Sequence, residues 1–355
     1  MWRGQRQVRA QRRQAAVAGV AQLREQRLTV AALGRNSGMS LLELLVAMSI
    51  GASLSFGMVN LFLQNKTGFV QDEEISRLQE NGRWALRYVA RELSMAGFYG
   101  ALPGGGGITG SLRVAGDCAA GWAMNTGTAL EHLNNATAAE AAAVYGCIRR
   151  AEFREGTDII GVRRTLDLPH LSNGTLASAL ASKTAYLRLR QHGAEASLLL
   201  GGAIGKADRA ADSGVEVWQY QPQLLYIRDY SVTRTDGIPA LCRKRLTTFA
   251  VSLAMNHSEC LVEGIENLQL EFGIDSNGDY TPEYYLSTPS ADTLEMAVTV
   301  RIYLLSRTLK EFKAYLNDKS YSLGDKVITA PNDGYYRRVL QTTVPLYNSA
   351  AFRFR

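Results

Sequence analysis

Two hydrophobic periodicities divide the chain. From Leu44 to Leu63 no position carries a charge, and about 20 such residues are enough to cross a bilayer core as a helix. After Gly68 the apolar and small positions Ile75, Leu78, Gly82, Ala85, Val89, Leu93 and Ala96 recur at steps of three and four, which places them on one helix face. The pattern predicts one continuous or slightly kinked helix from about Leu41 to Ala96. Its first half is apolar all round, its second half is laid against the rest of the chain, and Gly97 ends it.

Further along, the period shortens to two. Strand-like runs cover Thr157 to Arg163, Thr184 to Arg190, Gln223 to Tyr230, Thr247 to Ala254, Leu268 to Ile274 and Leu294 to Leu305. In the second run Leu187 and Leu189 would face one side while Arg188 and Arg190 face the other, the signature of an antiparallel sheet with one wet face. The expected fold class is α+β, a long N-terminal helix packed on a C-terminal antiparallel β-sheet head. Residues 39–96 would form the helix, with its span at about 44–63. Residues 97–147 would be a Gly/Ala-rich loop region and 148–355 the β-rich head.

Charge changes the picture of the N-terminus. The net charge of +6 over 355 residues suggests a polyanion partner until the charges are located. Arg3, Arg6, Arg9, Arg12, Arg13, Arg24, Arg27 and Arg35, against Glu25 alone, give residues 1–38 a charge of +7. The remaining body is near neutral, so it lacks the electrostatic footprint of a nucleic-acid binder. Basic residues precede the apolar run, and Asp72, Glu73 and Glu74 follow it. By the positive-inside rule residues 1–38 stay in the cytoplasm and the C-terminal body is exported.

The four cysteines, Cys118, Cys147, Cys242 and Cys260, show no CxxC or Cys/His clustering and so do not support a zinc site. Their even number fits two disulfides and an oxidising compartment. Three pairings are possible. The local one, Cys118 with Cys147 and Cys242 with Cys260, closes the shortest loops and is the one expected.

Candidate chemistry elsewhere is thin. Pro103 to Gly107 holds four glycines, but no lysine and serine or threonine follow at phosphate-loop spacing. Asp275, Asn277 and Asp279 alternate, with Glu283 beyond, like the opening of a calcium loop. Tyr280 occupies the place of the turn glycine, however, and Leu286 stands where a twelfth-position acid belongs. A polar turn between strands, cornered at Asn277 and Gly278, is favoured over metal binding. His132, His170, His192 and His257 are scattered without an HExxH or a nucleophile elbow. Glu43 is more pointed. A carboxylate one residue before an apolar run either flanks the bilayer interface or marks a partner.

The stretch Ser37-Gly38-Met39-Ser40-Leu41-Leu42-Glu43 resembles the processing signal of type IV pilins. It has a basic leader, a glycine before the cut, a large apolar residue after it and glutamate fifth in the mature chain. Met39 departs from the more common phenylalanine, and the 38-residue leader is long for the family. Within the pilins, Asn81 to Arg87, Arg91 to Tyr99, Val262 to Asp275, Val298 to Arg307 and Tyr336 to Val344 resemble the PilW-type minor pilins. That resemblance is least specific over 100–240.

The resemblance implies cleavage after Gly38 and N-methylation of Met39 by prepilin peptidase/methyltransferase. It also implies pairing of Glu43 with the N-terminal amine of a neighbouring subunit. The implied protein is a non-enzymatic minor pilin that primes or joins pilus assembly in a tip complex. It would sit in the inner membrane with a periplasmic head, then in the surface pilus. Its implied partners are other minor and major pilins, the inner-membrane assembly platform and a tip-associated adhesin; no cofactor is implied. A pseudopilin of type II secretion shares the leader and anchor. A bitopic periplasmic ligand-binding protein or hydrolase is the reading from a different class.

Overall fold

The computed structural model describes residues 39–102, 104–249 and 252–350. They fall into two compact units, one ending at Thr67 and the other beginning at Gly68.

The first unit consists of the N-terminal part of helix α1, which runs Leu41–Ser94. Its side chains are exposed almost throughout, and an 18-residue window within α1 has a mean hydropathy of 1.8. This is a helix long and apolar enough to cross a membrane. Ser49 and Ser53 turn their hydroxyls back onto the carbonyls of Val46 and Ser49, both at 2.8 Å, so they leave no polar group seeking a partner.

The second unit opens with the C-terminal part of α1. Leu78, Gly82, Ala85, Val89 and Leu93 are its buried stripe, the face read from the periodicity. Each large apolar side chain buried there contributes roughly 1.5–3 kcal/mol. The Ala96 N–H bonds to the Leu93 carbonyl and Gly97 takes a φ of 75°, the left-handed conformation that glycine adopts without penalty at a helix end.

The strands that follow pair antiparallel throughout. A six-stranded sheet has the order β1 (Leu130–Ala136), β2 (Thr157–Val162), β8 (Gln223–Arg228), β9 (Ala240–Phe249) and β10 (Ser252–Met255), with β11 (Glu259–Glu263) also on β9. A five-stranded sheet is formed by β3 (Leu171–Ser172), β4 (Thr175–Leu176), β5 (Ala185–Arg190), β6 (Glu195–Leu200) and β7 (Glu216–Gln219). A four-stranded sheet has the order β13 (Tyr284–Leu286), β12 (Ile265–Ile274), β14 (Ala297–Arg307) and β17 (Arg337–Pro345). The hairpin β15 (Tyr321–Leu323) and β16 (Lys326–Ile328) stands apart in the pairing. Three short helices complete the unit: α2 (Ala138–Val144), α3 (Ala291–Leu294) and α4 (Tyr347–Ala350).

Two apolar clusters lie on opposite sides of the six-stranded sheet. Ile160, Val162, Leu225 and Ile227 join Ala85, Val89 and Leu93 of α1 and the inner residues of β12 and β14. Ile159, Leu224 and Tyr226 point the other way, to Tyr99, Trp122 and Tyr145. Strands β2 and β8 are therefore buried along their whole length. The alternation suggested an antiparallel sheet with one wet face; the strands are antiparallel as expected, but the central strands β2 and β8 have no wet face, because the chain covers both sides.

Two further expectations are corrected. Residues 97–147 are not simply loop, since β1 pairs with β2 from Leu130 opposite Val162 to Ala136 opposite Thr157, with a bulge between. The strand escaped notice because only its ends, Leu130 and Ala136, are buried, while Glu131 to Asn135 between them are half-buried. The single strand expected over Thr247 to Ala254 is the meeting of two: β9 and β10 pair with Phe249 opposite Ser252. An apolar run on both sides of a reversal carries no mark of the turn.

Candidate functional site

Gly38 and the basic leader lie outside the described residues. Met39 is 66% exposed, followed by the helix start. Glu43 reaches back to accept the Ser40 N–H at 3.1 Å, and the Ser40 hydroxyl accepts the Leu42 N–H at 3.3 Å. This is a Ser-x-x-Glu cap, which satisfies amides that the first turn leaves without partners. Glu43 therefore has a local role in this chain, and the spacing that signals it was present in the sequence.

The buried stripe of α1 also carries two acids. Glu74 accepts the Leu309 N–H at 3.2 Å and lies 3.3 Å from the Lys310 ammonium. Glu92 takes Arg164 in a two-pronged pair, at 2.7 Å from Nε and 2.9 Å from Nη2, and it also accepts from the Gln223 amide. From there the polar chain continues through Tyr88, which donates to Gln223 at 3.1 Å, to Arg243 and Glu259. Burial, and then the Glu92 charge, push the Tyr88 hydroxyl above its usual range despite Arg243. Asn81 donates to the Glu263 carbonyl at 3.0 Å and Gln71 to Tyr336 at 2.6 Å. These contacts fix the helix both axially and in rotation, because a one-residue slip would strand buried charge. Reading the stripe for its apolar members alone missed them. The signal was two glutamates in phase with Leu78, Ala85 and Val89, since acids are almost never fully buried unless paired.

Cys118 is bonded to Cys147 and Cys242 to Cys260. The second bond joins residues directly opposite one another on β9 and β11. The first encloses β1 and α2 and sits in the apolar cluster around Trp122 and Tyr145.

The Asp275 segment is a turn organised by its own backbone. The Asp275 carboxylate accepts the amides of Gly278 at 2.6 Å, Tyr280 at 2.7 Å and Asn277 at 3.2 Å. Burial alone would raise its pKa, but these amides outweigh it and hold the carboxyl below its usual range. Asn277 accepts the Asp279 amide at 2.8 Å and Glu283 the Ser276 amide at 2.8 Å. Asp275, Asp279 and Glu283 bring ligand oxygens within 4.8 Å of one another, yet these oxygens already serve the turn.

A cleft of about 500 Å³ opens beside Gly104 to Gly106, lined also by Tyr99, Tyr145 and Leu294, within the usual size of small-molecule sites. Glu131 and Glu295 both line it, and Glu131 accepts from Trp122 Nε1 at 2.8 Å and Arg163 Nη2 at 2.7 Å. His132, on the same strand, bonds through Nε2 to buried Asp158 at 2.9 Å, and Asp158 also accepts the amides of Asn135 and Leu270. That set ties β1, β2 and β12 together.

Comparison with known proteins bears on the C-terminal part. Residues 226–348 match the PilW family, described as Type IV Pilus-assembly protein W. The PilW match takes in the second half of β8 and every strand of the four-stranded sheet that packs on α1, and it bears out the resemblance to PilW-type proteins over that third of the chain. It ties this part of the protein to type IV pilus assembly. None of the curated proteins compared with the chain matches it. Among solved structures, a type IV-like pilin from Thermus thermophilus is similar, at 13% identity and a TM-score of 0.34 over 77% of this chain and 97% of that one. At that score the superposition carries no argument.

Proposed function

We propose that the protein is a minor pilin, a non-enzymatic subunit that enters a type IV pilus through α1. The observation that carries this reading is the division of labour along one helix. Its N-terminal part is apolar and exposed, and its C-terminal part is built into the unit that holds the PilW match. A helix wholly committed to a soluble core would not leave its apolar residues uncovered.

In this reading Gly38 and Met39 flank the cut made by prepilin peptidase, and Met39 becomes the methylated N-terminus. Glu43 meets the amine of a neighbouring subunit, where each charge offsets the desolvation of the other. The open space around Gly51 and Gly57, where an added Cβ would meet nothing within 4 Å, leaves room for close helix approach. The C-terminal unit faces the periplasm, then the cell exterior, in contact with other minor and major pilins.

Intact-mass analysis of the purified chain tests the reading. The expected product begins at N-methylated Met39. An uncut N-terminus in cells with active prepilin peptidase would remove both the pilin and pseudopilin readings and leave a bitopic protein whose head binds a ligand in the Tyr99 cleft. Loss of surface pili on deletion, with secretion intact, separates the pilin from the pseudopilin.

A further inference from the structure

The outward face of α1 is charge-segregated. Asp72, Glu73 and Glu80 are exposed in its first part, and Arg83, Arg87 and Arg91 in its second. At about 100° per residue these six positions, with Ser76 among them, fall in one sector roughly 100° wide. That sector lies opposite the buried stripe. Within the chain, Glu73 pairs with Arg77 at 3.4 Å and Arg91 with Asp167 at 2.9 Å. Among the described residues Asp72, Glu80, Arg83 and Arg87 enter no ion pair.

The spacing of the two charge blocks has a helical meaning. Eleven residues advance an α-helix by about 16 Å and turn it by about three full turns, so the same face returns. A slide of eleven residues brings Asp72 to the level of Arg83, Ser76 to Arg87 and Glu80 to Arg91. With no slide, acids meet acids and Arg87 meets Arg87.

We propose that this face docks the same face of a second copy of the chain, parallel and displaced by eleven residues along the helix axis. The parallel orientation rests on the pilus-subunit reading, in which two copies enter one bilayer in the same direction. Level in that bilayer, the two faces repel. Displaced by three turns, as when one copy is drawn out along its axis, they become complementary. The contact joins two copies unequally, since one offers its basic block and the other its acidic block. Exposed ion pairs supply orientation and selectivity more than affinity. The face therefore sets the axial step between helices.

Cysteine pairing reads that step. Full-length chains carrying Ser76→Cys are co-expressed with chains carrying Arg87→Cys, extracted into detergent micelles so that no bilayer holds them level, and mildly oxidised. The native cysteines are already paired. The expected result is that the 76–87 crosslink exceeds the 87–87 crosslink severalfold and weakens at high salt. Predominance of the 87–87 product, or no crosslink between copies, overturns the docking.

Adding Arg83→Glu and Arg91→Glu to the Arg87→Cys chain is expected to abolish the product. Asp72→Arg and Glu80→Arg in the other chain are expected to restore it; failure to restore with both chains folded, judged by their melting curves, also overturns the proposal. A chain that is processed and joins pili without this crosslink would sink the docking alone. An unprocessed chain that gives the crosslink would sink the pilus reading alone.

Discussion

The carboxylate of Glu92 and the guanidinium of Arg164 meet through two hydrogen bonds, at 2.7 and 2.9 Å, with both side chains almost wholly buried. Removing one partner of such a pair leaves an uncompensated charge in the core. Glu92→Ala is therefore expected to destabilise the protein by about 3–5 kcal/mol. Arg91→Ala breaks the exposed pair with Asp167 and is expected to cost about 1 kcal/mol or less. Chemical denaturation of both variants in micelles measures the difference.

Gly82 lets α1 sit directly on the four-stranded sheet. An added Cβ would lie 2.7 Å from Leu340 Cδ1 and 2.9 Å from Ser306 Oγ. Gly82→Val should cost about 1–3 kcal/mol by overpacking, and Gly82→Ala less, because the Leu340 methyl can move. Leu340→Ala combined with Gly82→Val is expected to recover part of the loss. Melting temperatures of the three variants give the answer.

The two disulfides should not contribute equally. Cys118–Cys147 spans 29 positions, and its loss is expected to cost about 2–4 kcal/mol. Cys242–Cys260 spans 18 and joins strands already paired residue to residue, so its removal should cost less. Paired Cys→Ser variants, compared by denaturation under oxidising conditions, measure this.

Glu43 has a cap to make and, in the proposed function, a charge to offer. Glu43→Gln keeps an acceptor for the Ser40 amide and deletes the charge. It should be inserted and processed normally but join pili poorly, whereas Glu43→Ala loses both. Normal incorporation of the Gln variant, scored by immunoblot of sheared pili, would assign Glu43 to capping alone.

Acid should loosen the four-stranded sheet at one identifiable pair. Arg337 donates to both oxygens of Asp333, at 2.6 and 2.7 Å. These bonds outweigh burial and hold the Asp333 carboxyl below its usual range. A carboxyl with a depressed folded pKa contributes stability above its unfolded value, about 3.9, and loses it as pH falls through the folded value. The melting temperature should therefore decline below about pH 4. Asp333→Asn should start lower and decline less over the same window.

What the sequence disclosed followed from periodicity. The apolar run, the amphipathic stripe and the strand alternation of Leu187 and Leu189 all have a period, and the structure places them as read. The PilW match supports the resemblance carried by Val262 to Asp275 and Val298 to Arg307. What stayed hidden depends on partners remote in sequence. Strand β1 is polar along its middle because Glu131 and His132 answer Arg163 and Asp158. Arg164 becomes a helix clamp only when Glu92, 72 positions earlier, arrives beside it. Local pattern registers neither.

The burial of β2 and β8 on both faces limits how the protein could be cut or recombined. The PilW match begins within β8, so the residues that shield the outward side of that strand, Tyr99, Trp122 and Tyr145 among them, lie outside it. A fragment trimmed to the matched residues would open an apolar plane to water, and adhesion between such planes is the usual route to aggregation. The N-terminal half of the head is thus a lid on the C-terminal half. A transplanted lid could differ in strand order and sequence, provided that it matched the apolar footprint of Tyr226, Leu246 and Leu253.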